Sequence, residues 1–213
     1  DECLEIARAY GIEAPNGGVA TSEEEALELA ASLKFPIAMK VVSPDILHKT
    51  DVGGVVLGVD SLDKVKATFR KIIDQCRVLI PQAHIKGVFL QEMAKPGKEV
   101  IVGVSRDPQF GPLLMFGLGG IYVNFLRDVA FGICPLSREE AYSIVKDTKA
   151  YILLKGVRGE PPSDIESVIG VILAISQLVI DFPEIVELDA NPIFVYPKGE
   201  GCKALDIKIT IKI

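Results

Sequence analysis

The sequence predicts a mixed α/β or α+β fold in which much of the sheet is antiparallel. Helix-initiating patterns alternate with short apolar segments of strand length along the 213 residues. Several predicted strands follow one another closely and are joined by short turns that contain proline or glycine, which is typical of β-hairpins. The sequence contains neither an internal repeat nor a low-complexity segment.

The first half opens with a predicted helix over residues 4–10, which Gly11 ends. A capping box at residues 22–25 starts a second helix, which reaches residue 33 before Pro36 stops it. Ser61 is expected to cap a third helix that runs to residue 77. Strands are predicted at residues 37–42, 55–59, 87–92 and 99–105.

In the second half, a capping box at residues 137–140 opens a helix to residue 146. Residues 163–166 open a longer helix, whose apolar residues from Ile165 to Val179 follow a helical spacing. Strands are predicted at residues 113–116, 129–133, 193–196 and 203–211. We expect a break between two lobes near residues 92–97, where a Lys-Pro-Gly-Lys turn separates two strands.

Composition excludes several classes of protein. The chain has 23 basic and 29 acidic residues, a net charge of -6 and no basic cluster, which argues against a nucleic-acid partner. Its longest charge-free stretch, residues 108–126, is interrupted by glycine and proline, so no membrane span is expected. The four cysteines form no CxxC pair and no signal-peptide pattern is visible, so we expect a reduced, cytoplasmic protein.

The first candidate site combines Lys40 with the loop at residues 43–54, SPDILHKTDVGG. A lysine on a strand can neutralise phosphate charge, and Gly53 and Gly54 permit a phosphate to approach backbone N–H groups closely. A neutral imidazole can accept a phosphoryl group, so His48 is a candidate nucleophile. The alternative is a polar loop with a solvated histidine and a Gly-Gly turn.

The second candidate site comprises Glu92, Glu99 and the glycine-rich residues 116–120. Glu92 ends an apolar strand, where a carboxylate can accept a hydrogen bond from an adenine amino group or a ribose hydroxyl. The glycines do not form a dinucleotide-binding fingerprint, because Tyr122 takes the place of the third glycine. The alternative is a pair of surface carboxylates beside a tight turn.

The third candidate site is the segment ELDANP at residues 187–192 together with Asp206 on the last predicted strand. If the two strands are adjacent, Asp189, Asn191 and Asp206 bring hard oxygen ligands together. Mg²⁺ prefers such ligands, with nucleotide phosphates completing its coordination. The alternative is ordinary turn chemistry, since Asp, Asn and Pro are common in turns.

Taken in order, these sites closely resemble those of the ATP-grasp fold. The resemblance is closest to the nucleotide-binding beta subunit of the ADP-forming acyl-CoA synthetases, such as archaeal acetyl-CoA synthetase. It rests on the stretches KVVSPDILHKTDVGGV, LQEMAKPGKEVIVGVSRDPQFGPLLMFGLGGI, GVRGEPPSD and ELDANPI, with ALD near residue 206. These segments extend over nearly the whole chain.

The resemblance implies a small lobe at residues 20–92, a large lobe at 93–213 and an N-terminal segment, 1–19, whose helix packs on the large lobe. It implies that ATP or ADP binds between the lobes. The resemblance also implies a role for each candidate residue. The phosphates would be contacted by Lys40, Gly53 and Gly54, the adenine by Glu92 and the ribose by Glu99. Mg²⁺ would be held by Asp189, Asn191 and Asp206.

The resemblance also implies a partner. In this family a CoA-binding alpha subunit forms an acyl phosphate, and its own phosphohistidine passes the phosphoryl group to the beta subunit. His48 matches the beta-subunit histidine that relays this group to ADP. The assembly implied is α2β2, and the acyl chain that it accepts is not readable from this sequence.

The sequence departs from the family pattern at Asn124, Gly132 and Lys208, where relatives commonly carry Glu, Arg and Arg. Arg158 matches the pattern, but the residues suggest no role for it. Two other interpretations stay open: a module that senses ATP or ADP without turnover, and a beta subunit of the succinyl-CoA ligase type. His48 separates the first of these from the relay enzyme, because a sensor needs no nucleophile.

Overall fold

The structure is a computed structural model that describes residues 2–46, 49–119 and 128–212. It divides into two compact units. The small unit comprises Pro15–Met93, and the large unit combines Glu2–Ala14 with Ala94–Ile213. The large unit is therefore discontinuous in sequence, because the small unit is inserted after its first helix.

Helices and strands alternate along the described residues. The helices are α1 (Glu2–Ala9), α2 (Glu23–Ala31), α3 (Leu62–Leu79), α4 (Arg138–Lys146), α5 (Lys149–Leu154) and α6 (Ile165–Asp181). The strands are β1 (Gly17–Ala20), β2 (Ile37–Val42), β3 (Val55–Val59), β4 (Gly87–Glu92), β5 (Lys98–Asp107), β6 (Gly111–Leu118), β7 (Val129–Ile133), β8 (Ile185–Val195), β9 (Cys202–Ala204) and β10 (Ile207–Ile211).

The small unit is a four-stranded antiparallel sheet, in the order β1-β4-β2-β3, with helices α2 and α3 packed against it. Alternation along β2 directs Met39 and Val41 into a core that also contains Phe69 and Ile72 of α3. Because successive side chains of a strand point to opposite faces, Lys40 projects from the other face of the sheet.

The large unit is a six-stranded antiparallel sheet, in the order β10-β8-β5-β6-β7, with β9 paired to β8. Helices α4, α5 and α6 pack against this sheet, and α1 contacts β10. The face that meets the helices is apolar, and its central row includes Val104, Leu114 and Leu188, which are at most 4% exposed. The opposite face is termed the open face below.

The mixed α/β class with antiparallel sheet is confirmed, as is the capping box at Ser137, whose backbone N–H donates to the Glu140 carboxylate. At α2, Ser22 accepts from the Glu25 N–H as predicted, and the Glu25 carboxylate also accepts from the backbone N–H and the hydroxyl group of Thr21. Ser61 occupies the N-cap position of α3 without a capping hydrogen bond from its side chain.

Four strand and helix predictions differ from the structure. Strand β8 begins at Ile185 and not at residue 193, and the predicted strand at 203–211 is divided into β9 and β10 around Asp206. Strand β1 and helix α5 were not predicted. Among the helices of the described residues, none is both long and apolar enough to span a bilayer.

Candidate functional site

In the small unit, Lys40 and the Gly53-Gly54 turn are brought together. Lys40 lies on β2 opposite Phe89 of β4 and Val55 of β3, and it is half-buried. The carbonyl of Gly54 accepts from the N–H of Val41, 2.7 Å away, so the turn is fastened to the residue next to Lys40. The basic side chain and the glycine turn therefore occupy the same end of the β2–β3 connection.

Packing explains why both turn positions carry glycine. Gly53 has a φ of +64°, and an added Cβ would collide with the Gln75 amide, while a Cβ on Gly54 would lie 2.5 Å from Val41 Cγ1. The N–H of Gly53 donates to the Thr50 carbonyl at 3.1 Å, and that of Gly54 donates to the Lys49 carbonyl at 2.8 Å. Both amides are thus used within the loop itself.

Glu92, at the end of β4, joins two distant segments of the small unit. Its carboxylate accepts from the backbone N–H of Lys34 at 2.9 Å and from the side-chain amide of Asn16 at 3.1 Å. Its own N–H donates to the Asn16 carbonyl at 2.9 Å. These contacts fix the carboxylate, and they also give it a structural role that the sequence did not suggest.

Glu99 lies on β5 in the large unit, where its side chain is exposed. It is paired with Phe194 of β8, and its carbonyl accepts from the N–H of Gly119 at 2.9 Å. A Cβ at Gly119 would lie 2.6 Å from the carbonyl oxygen of Val100, so only glycine fits this close approach. Glu99 therefore holds the first part of the glycine-rich segment against β5.

The predicted metal ligands lie close together in the large unit. Glu187, Asp189 and Asn191 alternate along β8 with the buried Leu188 and Ala190, which places them on the open face. The N–H of Asn191 donates to the carbonyl of Asp206 at 3.1 Å, which brings the segment between β9 and β10 alongside.

One row of paired residues runs across five strands on the open face. It comprises Lys208, Asp189, Gly103, Met115 and Phe131. Met115 extends towards Gly103, where an added Cβ would be 3.4 Å from its terminal methyl carbon. Asp189 consequently has a basic neighbour on β10 and an apolar neighbour beyond Gly103.

This environment perturbs Asp189. Burial raises the pKa of its carboxyl group, Lys208 opposes this effect, and the nearby charges of Asp206 and Glu187 add to it. Within residues 2–46, 49–119 and 128–212, no group of three or more His, Cys, Asp or Glu side chains is arranged to hold a metal ion. Two carboxylates and an amide nevertheless fit Mg²⁺. When Mg²⁺ is bound in a protein, nucleotide phosphates and water commonly supply its remaining ligands.

Four other residues that the sequence singled out differ in what the structure shows of them. His48, the candidate nucleophile, and Asn124 lie outside the described residues, although Lys49 next to His48 is described. Gly132 faces α4, where a Cβ would collide with Ile144, so the absence of a side chain lets the helix approach β7. Arg158 is exposed and has a φ of +52°.

The sequence suggested no role for two residues that make notable contacts in the structure. The Asp128 carboxylate accepts from the backbone N–H groups of Lys149 and Ala150, at 2.8 and 2.9 Å, and so caps helix α5. Lys208 is the other, through its pairing with Asp189. Because the side chains of a strand alternate between its faces, the two-residue spacing of Asp206 and Lys208 was the one signal that could have placed Lys208 on the same face as the carboxylates.

Comparison with known proteins identifies the family. The sequence profile of the ATP-grasp domain matches residues 1–211. Over 212 residues the chain is 43% identical to subunit beta of an ADP-forming acetate–CoA ligase II of Pyrococcus furiosus, covering 99% of this chain and 90% of that subunit. It is 48% identical to an ADP-forming acetate–CoA ligase I of Archaeoglobus fulgidus over 93% of this chain, but spans only 29% of that longer protein.

The fold agrees with these similarities. A solved structure of acetyl-coenzyme A synthetase 1 from Ca. Korarchaeum cryptofilum, in complex with coenzyme A, Ca-AMPCP and HgCl⁺, superposes with a TM-score of 0.94. The two chains are 43% identical, and the match covers 99% of this chain and 91% of the other. The chain therefore belongs to the ATP-grasp domain family.

Proposed function

We propose that this chain is the nucleotide-binding beta subunit of an ADP-forming acyl-CoA synthetase, with acetyl-CoA as the model substrate. The observation that carries the proposal is the match to the Pyrococcus beta subunit, which extends over 90% of that subunit as well as 99% of this chain. The acyl-CoA chemistry would take place on a partner alpha subunit that binds CoA and carries its own phosphohistidine, in an α2β2 assembly.

His48 is proposed as the phosphoryl relay. A neutral imidazole nitrogen of His48 attacks the phosphorus carried by the partner's histidine, so one N–P bond forms while the other breaks. An oxygen of the terminal ADP phosphate then attacks the same phosphorus. The new P–O bond forms ATP, and the electron pair of the broken N–P bond returns to the imidazole. The reverse sequence consumes ATP.

The remaining small-unit residues are proposed to hold the nucleotide. Lys40 would offset phosphate charge, supported by its position beside the turn of Gly53 and Gly54. Because both glycine amides donate within the loop, we propose that the glycines shape the turn and allow close approach, with Lys40 supplying most of the attraction. Glu92 would accept from the adenine amino group.

In the large unit, Glu99 is proposed to contact the ribose, and its exposed carboxylate on β5 is compatible with accepting from a hydroxyl group. Asp189, Asn191 and Asp206 would hold Mg²⁺, with Asn191 and Asp206 as the direct ligands. Bound there, Mg²⁺ would neutralise part of the charge on the nucleotide phosphates. The divalent cation and nucleotide analogue in the Korarchaeum complex are consistent with such a pair of ligands.

Mass spectrometry of the protein tests the relay. After incubation with the alpha subunit, acyl-CoA, phosphate and Mg²⁺, we expect phosphate on His48 and none on His48→Ala, while Mg-ADP binding persists in that variant. His84→Ala is the matched control, because His84 is exposed and uses its backbone N–H to bind Asp45.

Two results would contradict the proposal. If acyl-CoA synthesis by the reconstituted enzyme survives His48→Ala, the relay role is wrong. If the chain binds Mg-ADP but is never phosphorylated, the sensing interpretation takes its place. The isolated chain is expected to bind Mg-ADP without making acyl-CoA. Full synthetase activity without a partner would therefore contradict the assignment of the acyl-CoA chemistry to the alpha subunit.

A further inference from the structure

Lys208 lies in the middle of the acidic part of the open face. It is directly paired with Asp189, whose other strand neighbour, Gly103, has no side chain. Along β10, Ile207 is buried while Lys208 and Thr210 are exposed, so alternation places Lys208 on the same face as the Asp189 carboxylate. The nearest side-chain position across the ladder from Asp189 is therefore a cation.

Two further carboxylates are close enough to Asp189 to affect it electrostatically. Glu187 is two residues before Asp189 on β8, and Asp206 is held beside Asn191 by a backbone hydrogen bond. The charges of Glu187 and Asp206 raise the pKa of Asp189, whereas the charge of Lys208 lowers it. The ammonium group of Lys208 thus compensates part of a local negative charge that would otherwise attract a cation from solution.

We propose that Lys208 is a built-in counter-cation that weakens the binding of a bare divalent cation while the nucleotide is absent. This inference rests on the proposed function, because it takes Asp189, Asn191 and Asp206 as the metal-binding set. It adds a selectivity that the ligand set alone does not provide, namely preference for a metal–nucleotide complex over the free metal.

The physical reason is that the bare divalent cation and its complex with a nucleotide have net charges of opposite sign. A bare divalent cation is repelled by the Lys208 ammonium, and it must compete with that group for Asp189. A complex of a divalent cation with ADP or ATP carries net negative charge, so the same ammonium attracts it. Lys208 therefore opposes the first binding event and favours the second, without moving either carboxylate.

Titration calorimetry of the whole chain with MnCl₂, in the absence of nucleotide, tests this inference. Removing the ammonium in Lys208→Met is expected to strengthen Mn²⁺ binding by about tenfold at low salt, with a smaller gain at 0.5 M NaCl because salt screens exposed charges. Lys208→Arg retains the charge and should bind Mn²⁺ as the unaltered chain does.

Lys203→Met is the matched control, because Lys203 lies in the same sheet but is paired with Phe194. It should leave the Mn²⁺ affinity unchanged. Lys208→Gln, which keeps a polar side chain of similar length, replaces Lys208→Met if the apolar residue unfolds the edge of the sheet. Adding Asp189→Asn to either variant should abolish the gain, since the carboxylate that Lys208 compensates is then neutral.

The inference is overturned if the charge-removing variants bind Mn²⁺ no more tightly than the unaltered chain, including the case in which neither binds it. An equal gain in Lys203→Met would also overturn it, because the effect would then reflect overall charge. Mg-ADP binding is measured on the same proteins. Failure of the unaltered chain to bind Mg-ADP contradicts the proposed function, and the Mn²⁺ comparison still decides the role of Lys208.

Discussion

The Asp164 carboxylate accepts a hydrogen bond of 2.8 Å from the backbone N–H of Gly199, which lies 35 residues further along the chain. It also accepts from the N–H groups of Ser167 and Gly201, both at 3.1 Å. One side chain therefore caps helix α6 and secures the turn between β8 and β9. Burial alone would raise the pKa of Asp164, but these three donors outweigh it and hold the pKa below its ordinary value.

Asp164→Ala should destabilise the large unit, because three backbone donors lose their common acceptor. We expect a loss of about 2 kcal/mol in the free energy of unfolding at pH 7. A carboxyl group with a lowered pKa stabilises the fold fully above its unfolded value of about 4, and this contribution disappears as the pH falls through the folded pKa. Urea unfolding at pH 7 and pH 3 measures both effects.

The difference between Asp164→Ala and the unaltered protein should therefore be smaller at pH 3 than at pH 7. Glu166→Ala is a suitable control, since Glu166 is an exposed acidic residue of the same first helical turn whose partner is Arg138. A pH-independent difference for Asp164→Ala would show that its charge is not what the three donors recognise.

Gly132→Ala should also destabilise the large unit. The added methyl group would collide with Ile144 of α4 and lie 2.9 Å from Leu136, and overpacking of this kind costs about 1 to 3 kcal/mol. Gly170→Ala is the contrasting control. Nothing lies within 4 Å of its Cβ position in α6, so it should stabilise the helix by about 0.5 to 1 kcal/mol. Thermal unfolding separates the two, and similar shifts would contradict the packing argument.

Asp128→Ala removes the acceptor for the first N–H groups of α5. We expect a cost of about 1 kcal/mol and faster hydrogen exchange at the amides of Lys149 and Ala150. Asp147→Ala removes the same charge from a nearby exposed position and should leave the exchange of these amides unchanged. Unaltered exchange in Asp128→Ala would show that another group caps the helix.

Glu92→Ala should destabilise the small unit by about 1 to 3 kcal/mol, because the Lys34 N–H and the Asn16 amide lose an acceptor. Glu92→Gln keeps one carbonyl oxygen, so it should retain much of the stability. If Glu92 also binds adenine, Glu92→Gln should lower the affinity for ADP while the midpoint of urea unfolding stays near that of the unaltered chain. If Glu92→Gln retains both the affinity for ADP and the midpoint of urea unfolding, Glu92 is a purely structural residue.

The elements with strong local signals were predictable. Helix α4 begins with a reciprocal capping box, and the apolar spacing in α6 matches the residues that the structure buries. Helix α5 was missed because its cap, Asp128, lies about twenty residues before it and leaves no local pattern. Strand β1 was missed because two of its four residues are glycines, which have low β propensity.

The candidate site divides in the same way. The spacing of Asp189 and Asn191 is that of one strand face, although the strand was predicted only from residue 193. The structure puts Asp206 beside them through the Asn191 N–H. The contacts of Glu92 could not be predicted, since its partners are 58 and 76 residues away in the chain. The pairing of Lys208 with Asp189 likewise depends on strand register, which is a property of the folded sheet.

The insertion of the small unit into the large one also orders events during synthesis. Helix α1 leaves the ribosome before all other described elements, yet it contacts strand β10, the last of them in chain order. Leu4 and Ala7 on this helix are buried in the folded protein, and the contiguous small unit has all of its strands before β10 is made. The contact between α1 and β10 therefore forms only after the whole small unit and strands β5 to β9 have been made.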